Sequence, residues 1–274
     1  MPELPEIEIV RRTLVPRLEG RRIVDVLVRD GRLREPVARA RFARELPGRR
    51  IERLGRRAKY LLVELERDRT LVFHLGMSGR LTWAPRASAP EPHEHLALDL
   101  DNGGRLRLRD PRRFGLALLL ASSRLPADRH FRHLGPEPLE ASFDGMRLAA
   151  IAERRRGPVK GLLMDATAVV GVGNIYACEA LHRASIHPRR SVARIARPRW
   201  ERLAAAVREV LEDAIRQGGT TLNDFADGNG ESGYFQVSLA VYGREGEPCP
   251  RCGRAIRRVV QSGRSTFYCP GCQT

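Results

Sequence analysis

The segment Cys249-Pro250-Arg251-Cys252-Gly253-Arg254-Ala255-Ile256-Arg257-Arg258-Val259-Val260-Gln261-Ser262-Gly263-Arg264-Ser265-Thr266-Phe267-Tyr268-Cys269-Pro270-Gly271-Cys272 sets two CxxC pairs sixteen residues apart. Each pair can wrap two thiolates around one metal ion, and two pairs complete the tetrahedron that structural Zn²⁺ prefers. Iron–sulfur ligation draws on the same donors and is the competing use. Four thiolates leave no open coordination position, so a zinc here is structural rather than catalytic. Between the pairs, residues 256–260 and 266–268 read as strands, which makes the segment a β-hairpin finger. Arg254, Arg257, Arg258 and Arg264 lie on it and are candidates for contact with a polyanion. Cys178 stands apart and reads as a small packed residue.

Upstream of the finger the apolar pattern is helical over residues 146–155, 160–165, 175–184 and 199–217, the last ending at Gly218-Gly219 as a C-cap. Residues 220–235 are polar and glycine-rich, long for a plain connection, and so a candidate functional segment. Before the helices, residues 122–142 are rich in Pro and His and read as a connection between domains. From residue 23 to 121 the pattern changes to short apolar or alternating runs, at 23–28, 60–65, 70–75, 96–100 and 106–109, separated by turns such as Asp101-Asn102-Gly103-Gly104. Short strands at this spacing suggest an antiparallel sandwich. Residues 5–18 place Ile7, Val10, Leu14 and Leu18 at helical spacing, so a helix precedes the strands. The expected class is α+β, divided as 1–121 helix and β-sandwich, 122–142 linker, 143–235 helical domain, and 236–274 zinc finger.

The 274 residues carry a formal charge of +16, which attracts polyanions because neutralised phosphates release condensed counterions. Nucleic acid is the first partner this suggests; acidic membranes share the preference. The longest apolar run, residues 114–121, is too short to span a bilayer. The N-terminal residues lack the apolar core of a secretory signal, so a cytoplasmic location is expected. Of 49 basic residues only Lys59 and Lys160 are lysines. Either they survive a compositional drift to arginine by chance, or they stand where a compact ammonium that can lose its proton is needed.

The opening Met1-Pro2-Glu3-Leu4-Pro5-Glu6 resembles that of the formamidopyrimidine-DNA glycosylase family. So do His74-Leu75-Gly76-Met77-Ser78-Gly79, Asp110-Pro111-Arg112-Arg113-Phe114-Gly115, Gly171-Val172-Gly173-Asn174-Ile175-Tyr176-Ala177 and Gln217-Gly218-Gly219-Thr220-Thr221-Leu222, in family order, with the finger behind them. The resemblance implies a bifunctional DNA glycosylase/AP lyase acting on damaged duplex DNA held between its two domains. The implied reaction removes 8-oxoguanine and formamidopyrimidines and then cuts the strand by β,δ-elimination, with residues 220–235 as the candidate for lesion discrimination. One structural zinc is implied, with Cys249, Cys252, Cys269 and Cys272 as ligands, and no further cofactor.

The same resemblance assigns roles residue by residue. Pro2, freed by removal of Met1, is the nucleophile. A terminal amine has a pKa of about 8, so much of it is unprotonated near neutrality. Its attack on a sugar C1′ gives a Schiff base. Glu3 is the implied acid/base that opens the sugar. Glu6 has two readings, a first-turn acid favoured by the helix dipole or a support for catalysis. Lys59 is implied to bind phosphate beside the lesion and to donate a proton during elimination, Lys160 to lie near the substrate strand, and Arg264 to grip a phosphate. Base chemistry on a duplex requires the nucleotide to be flipped out. Met77, Arg112 and Phe114 are implied to fill the hole, whereas the residues alone permit Met77 and Phe114 to be ordinary core. Asn174, at a glycine turn opening a helix, suits a phosphate. His93 and Arg155 are further implied DNA contacts, Arg155 standing where the family pattern has lysine.

Three other readings remain open on the sequence. One is the endonuclease VIII branch of the superfamily, acting on oxidised pyrimidines. Another is a non-catalytic zinc-finger damage sensor, and the third an RNA-binding or ribosomal protein.

Overall fold

Helix α1 (Leu4–Leu18) begins on a reciprocal cap: Pro5 sits in its first turn, and the backbone N–H of Glu3 donates to the Glu6 carboxylate at 2.8 Å. Its buried face includes the expected Ile7, Val10, Leu14 and Leu18. The computed structural model describes residues 2–219, 228 and 239–274. They form two compact units, one of residues 2–132 with 217–219 and 228, the other of residues 133–216 with 239–274. The proposed lesion-reading stretch 220–235, apart from Gly228, lies outside the described residues, as does Met1.

In the first unit α1 is followed by β1 (Ile23–Val28), α2 (Arg39–Glu45), β2 (Ile51–Arg57), β3 (Tyr60–Leu65), β4 (Arg69–His74), β5 (Arg80–Pro85), β6 (Glu94–Leu100), β7 (Gly104–Arg109) and β8 (Leu116–Leu120). Two antiparallel sheets result, in the orders β1-β6-β7-β5 and β2-β3-β4-β8. In β3, Leu61, Val63 and Leu65 point inward and alternate with less buried residues, the period-two pattern of a strand with one wet face. Leu98 and Leu108 of one sheet, Leu61, Phe73 and Leu119 of the other, and Ile7, Val10 and Leu14 of α1 share one core. The fully buried β6 also carries acids, which are paired: Asp99 accepts from Arg105 Nε at 2.5 Å, and Glu94 accepts from Arg29 Nε at 3.0 Å. The stretch expected to be a plain connection holds a 3-10 helix over Ser122–Ala127.

The second unit contains α3 (Gly145–Glu153), α4 (Val159–Met164), α5 (Asn174–Arg183) and α6 (Arg197–Arg216), then β9 (Arg257–Gln261) and β10 (Arg264–Tyr268). Asp144 caps α3, its side chain accepting from Arg147 N at 2.7 Å. Strands β9 and β10 form the hairpin read from the sequence. Its two-residue turn, Ser262-Gly263, has φ of +47° and +72°, the left-handed pair that matches strand twist. No helix of the described residues is long and apolar enough to cross a membrane.

Candidate active site and nucleic-acid interface

In the first unit the chain enters α1 through Pro2 and Glu3. Pro2 is partly exposed, while Glu3 is only 3% exposed and fixed at the N-cap of α1 by its own N–H to Glu6. Gly219 lies against the same end of the helix. At φ +79° it is so close that an added Cβ would stand 3.0 Å from Ile9 Cδ1 and 3.3 Å from Glu6 Oε1. Of the two readings of Glu6, the first-turn acid is what the geometry displays: its carboxylate caps the helix and fixes the backbone of Glu3.

Lys59 is the second residue of the two-residue turn joining β2 and β3, flanked by the Arg57–Tyr60 pair. Ala58 takes a left-handed φ of +54° there, and its carbonyl accepts from Arg56 Nη1 at 3.0 Å. Tyr60 faces His74 across β3 and β4, their rings 5.0 Å apart. His74 is buried, and its Nδ1 accepts the backbone N–H of Gly76 at 3.0 Å. Burial, followed by the charges of Arg34, Lys59 and His130, pushes its pKa down to about 3. His74 therefore stays neutral near neutral pH.

Two turns meet immediately beyond β4. Gly76 has φ +61°, and a Cβ on it would stand 2.4 Å from the carbonyl carbon of Phe114. The turn bearing Met77 thus lies directly on the backbone of the loop bearing Arg112 and Phe114. Asp110, fully buried, ties them together: Oδ1 accepts from Ser78 Oγ at 2.6 Å and Oδ2 from Gly115 N at 2.7 Å. Ser78 Oγ in turn accepts from Arg112 N at 3.2 Å. Held this way, Met77 and Phe114 are 43% and 44% exposed, and the Arg112 guanidinium lies over the Phe114 ring at 4.9 Å. The core reading of these two side chains fails, because large apolar groups on a tied surface are offered to something else. His93, also exposed, sits nearby in the chain's hydrogen bonding, its carbonyl accepting from Asp110 N at 3.0 Å.

In the second unit Asn174 opens α5 after the glycine turn. Its Oδ1 accepts from Lys160 Nζ at 2.5 Å, and its Nδ2 donates to the Ser265 carbonyl at 2.9 Å. Lys160 Nζ also donates to Thr266 Oγ1 at 2.6 Å. Lys160 is only 2% exposed, and its two bonds fix Asn174 against the finger. Arg264 is exposed at the start of β10. Arg155 reaches back to Asp165 Oδ2 and Thr167 Oγ1, each at 2.6 Å, which fixes the turn after α4.

Three family matches cover the chain in order. The formamidopyrimidine-DNA glycosylase N-terminal domain matches residues 1–117 and the formamidopyrimidine-DNA glycosylase H2TH domain residues 134–226. The zinc finger found in FPG and IleRS matches residues 246–274. The chain belongs to the formamidopyrimidine-DNA glycosylase family. This glycosylase is 53% identical over 273 residues to the formamidopyrimidine-DNA glycosylase of Halorhodospira halophila, with 100% of both chains covered. Among solved structures it is similar to a Lactococcus lactis FPG mutant in complex with Fapy-dG containing DNA, at 32% identity, TM-score 0.92 and 100% of both chains. It is likewise similar to MutM in complex with carbocyclic 8-oxo-G containing DNA, at 33% identity, TM-score 0.91 and 100% of both chains.

The glycosylase carries one structural zinc site, made by Cys249, Cys252, Cys269 and Cys272, whose sulfurs all lie within 4.8 Å of one another. Four thiolates suit zinc and close its coordination. The Arg251 backbone N–H donates to Cys249 Sγ at 3.4 Å, fixing the first knuckle. Cys178 is buried beside the site, packed with Val241, Ile256 and Phe267 as a small apolar residue. Sequence reasoning quoted Asp110, Ser78 and His74 within motifs but gave them no role, and it read Thr266 only as part of a strand. An acid directly before Pro111 and a serine after Met77 were visible; that they bond each other was not.

Proposed function

We propose that this glycosylase excises oxidised purines, 8-oxoguanine and formamidopyrimidines, from duplex DNA through an imine on Pro2, and then cleaves the strand at the site. The observation that carries the reading is Glu3, a buried carboxyl whose backbone is fixed by Glu6 directly beside the partly exposed Pro2. Support for the substrate class comes from the relatives bound to Fapy-dG and 8-oxo-G DNA.

In this mechanism the Pro2 nitrogen attacks C1′ of the flipped nucleotide and the bond from C1′ to the base breaks. Glu3 protonates the ring oxygen, the sugar opens, and an iminium joins Pro2 to C1′. The cation acidifies C2′. Loss of that proton expels the 3′ phosphate, and a second elimination expels the 5′ phosphate, leaving a gap of one nucleoside. Lys59 donates to the phosphate beside the lesion and assists proton transfer during elimination. Met77, Arg112 and Phe114 enter the vacated stack, with apolar wedges offsetting the cost of unstacking. In the second unit Asn174 and Arg264 hold the backbone, Lys160 acts through Asn174, and His93 and Arg155 complete the implied contacts. The enzyme acts as a monomer beside the chromosome in the cytoplasm. Large apolar side chains left exposed among the described residues number five, too few for the apolar core of an obligate dimer.

Borohydride trapping on a duplex with one 8-oxoguanine opposite cytosine tests this. An adduct mapping to Pro2 is expected, lost in Pro2→Gly and in protein retaining Met1, and Glu3→Gln is expected to bind the duplex without forming it. An adduct on Lys59 overturns the nucleophile, and no adduct with tight binding intact overturns the enzyme reading.

A further inference from the structure

At the far end of α5 from Asn174, His182 is buried and its Nε2 lies 3.5 Å from Cys249 Sγ. A zinc-bound thiolate carries no proton, so in this contact the imidazole must be the donor and the sulfur the acceptor. We propose that His182 is an outer-sphere residue of the zinc site, donating Nε2–H to the Cys249 thiolate and thereby strengthening zinc retention. A tetrathiolate zinc centre bears two net negative charges, and each N–H···S contact withdraws part of that charge and lowers the proton affinity of the sulfur it touches. Cys249 already receives the Arg251 backbone N–H at 3.4 Å, so His182 makes it a doubly supported ligand.

The contact is held from both sides. Arg251, inside the first CxxC, donates through Nη1 to the His182 carbonyl and to Ser185 Oγ, both at 3.1 Å. The Glu179 carboxylate, one helical turn back, accepts the backbone N–H groups of Ala240, Val241 and Tyr242 at 2.8, 3.0 and 2.8 Å. Asn174 at the start of α5 grips the hairpin through Ser265. Helix α5 is thus bound to the finger along its length, and His182 is where that bond reaches the metal ligands themselves. The ring borders a cavity of about 240 Å³ lined by Glu179, His182, Arg183, Val210, Ala240, Pro250 and Arg251, which gives space for a phenylalanine in its place.

The test is competition for zinc between the full-length protein and a chromogenic chelator. His182→Phe fills the site without a donor, and His182→Gln keeps an amide N–H of similar reach. Zinc affinity is expected to fall on the order of tenfold in His182→Phe and by less in His182→Gln, in line with other outer-sphere losses. Affinity in His182→Phe within about twofold of the parent overturns the proposal. Should the variant not fold, ¹⁵N spectra of the imidazole in the unaltered zinc-loaded protein decide the matter. A proton on Nε2 of His182 is expected, and a proton on Nδ1 alone overturns the proposal.

Discussion

Asp110 shows how much of the site rests on a residue that need touch no DNA. Its carboxylate accepts from Ser78 and Gly115, and its carbonyl lies 2.8 Å from His95 Nε2. One buried acid therefore positions Met77 from one turn and Arg112 and Phe114 from another. Asp110→Asn keeps the shape but turns one acceptor into a donor that must face a hydroxyl or an N–H. A buried hydrogen bond to a charged group contributes about 1.5–3 kcal/mol, so excision from an intact lesion duplex should fall by roughly ten- to a hundredfold. Cleavage of a preformed abasic site, where no base is extruded, should fall less. Single-turnover rates on the two substrates check this, and equal losses would sink the positioning role. His74 gives a pH prediction. Its folded pKa, pushed down to about 3 by burial first, lies below the ordinary value of about 6.5. Between those values the unfolded chain binds the extra proton, so the contribution of His74 is complete above about pH 6.5 and is lost as pH falls toward 3. Hydrogen exchange of the β3–β4 amides should show protection falling with a slope of up to about 1.4 kcal/mol per pH unit from this group, absent in His74→Gln.

Among the elements, Lys160 joins three: it stands on α4 and donates to Asn174 on α5 and Thr266 on β10. Lys160→Met leaves the buried Thr266 hydroxyl and the half-buried Asn174 carbonyl without this donor, which should destabilise the second unit by about 1.5–3 kcal/mol and weaken DNA binding by freeing Asn174. Thermal unfolding and duplex titration measure the two effects. Weaker binding with unchanged unfolding would mean that Lys160 meets the DNA directly. The sequence made the long helices legible, because α6 buries a stripe at helical spacing and α1 buries Ile7, Val10, Leu14 and Leu18 at that spacing. It made the hairpin finger legible through its paired cysteines. Strand β2 was missed because Ile51-Glu52-Arg53-Leu54-Gly55-Arg56-Arg57 offers only two deeply buried apolar positions, and its place is set by pairing with β3. The order of strands in the two sheets is a long-range property with no local signature. The candidate site was legible as motifs, which is why Met77, Phe114 and Asn174 could be singled out before their exposure or place at a helix start was known. The direction in which Lys160 points depends on packing from residues over a hundred positions away, and no spacing rule reports that.

At the scale of the whole molecule the excess of +16 means that affinity for DNA must be strongly salt-dependent. Each phosphate neutralised contributes about 0.9 to the slope of log affinity against log salt, so the slope counts contacts that the fold only makes available. Arg264, exposed at the mouth of the hairpin, is assigned one such contact. Arg264→Ala should reduce the magnitude of the slope by about 1. Phe114→Ala and Met77→Ala remove no charge and should leave the slope alone while slowing excision, because they act on the base stack. Chelating the zinc provides an independent route to the same quantity. The finger has a small core of its own, built largely from its cysteines with Ile256 and Phe267, so metal loss should unfold the hairpin and release Arg264 from its place. Zinc-stripped protein should then show a slope reduced at least as far as in Arg264→Ala, and adding the variant to the stripped protein should change it no further. A slope equal to the parent's in Arg264→Ala would show that the finger grips no phosphate there. A full slope after stripping would show that the hairpin keeps its shape without the metal.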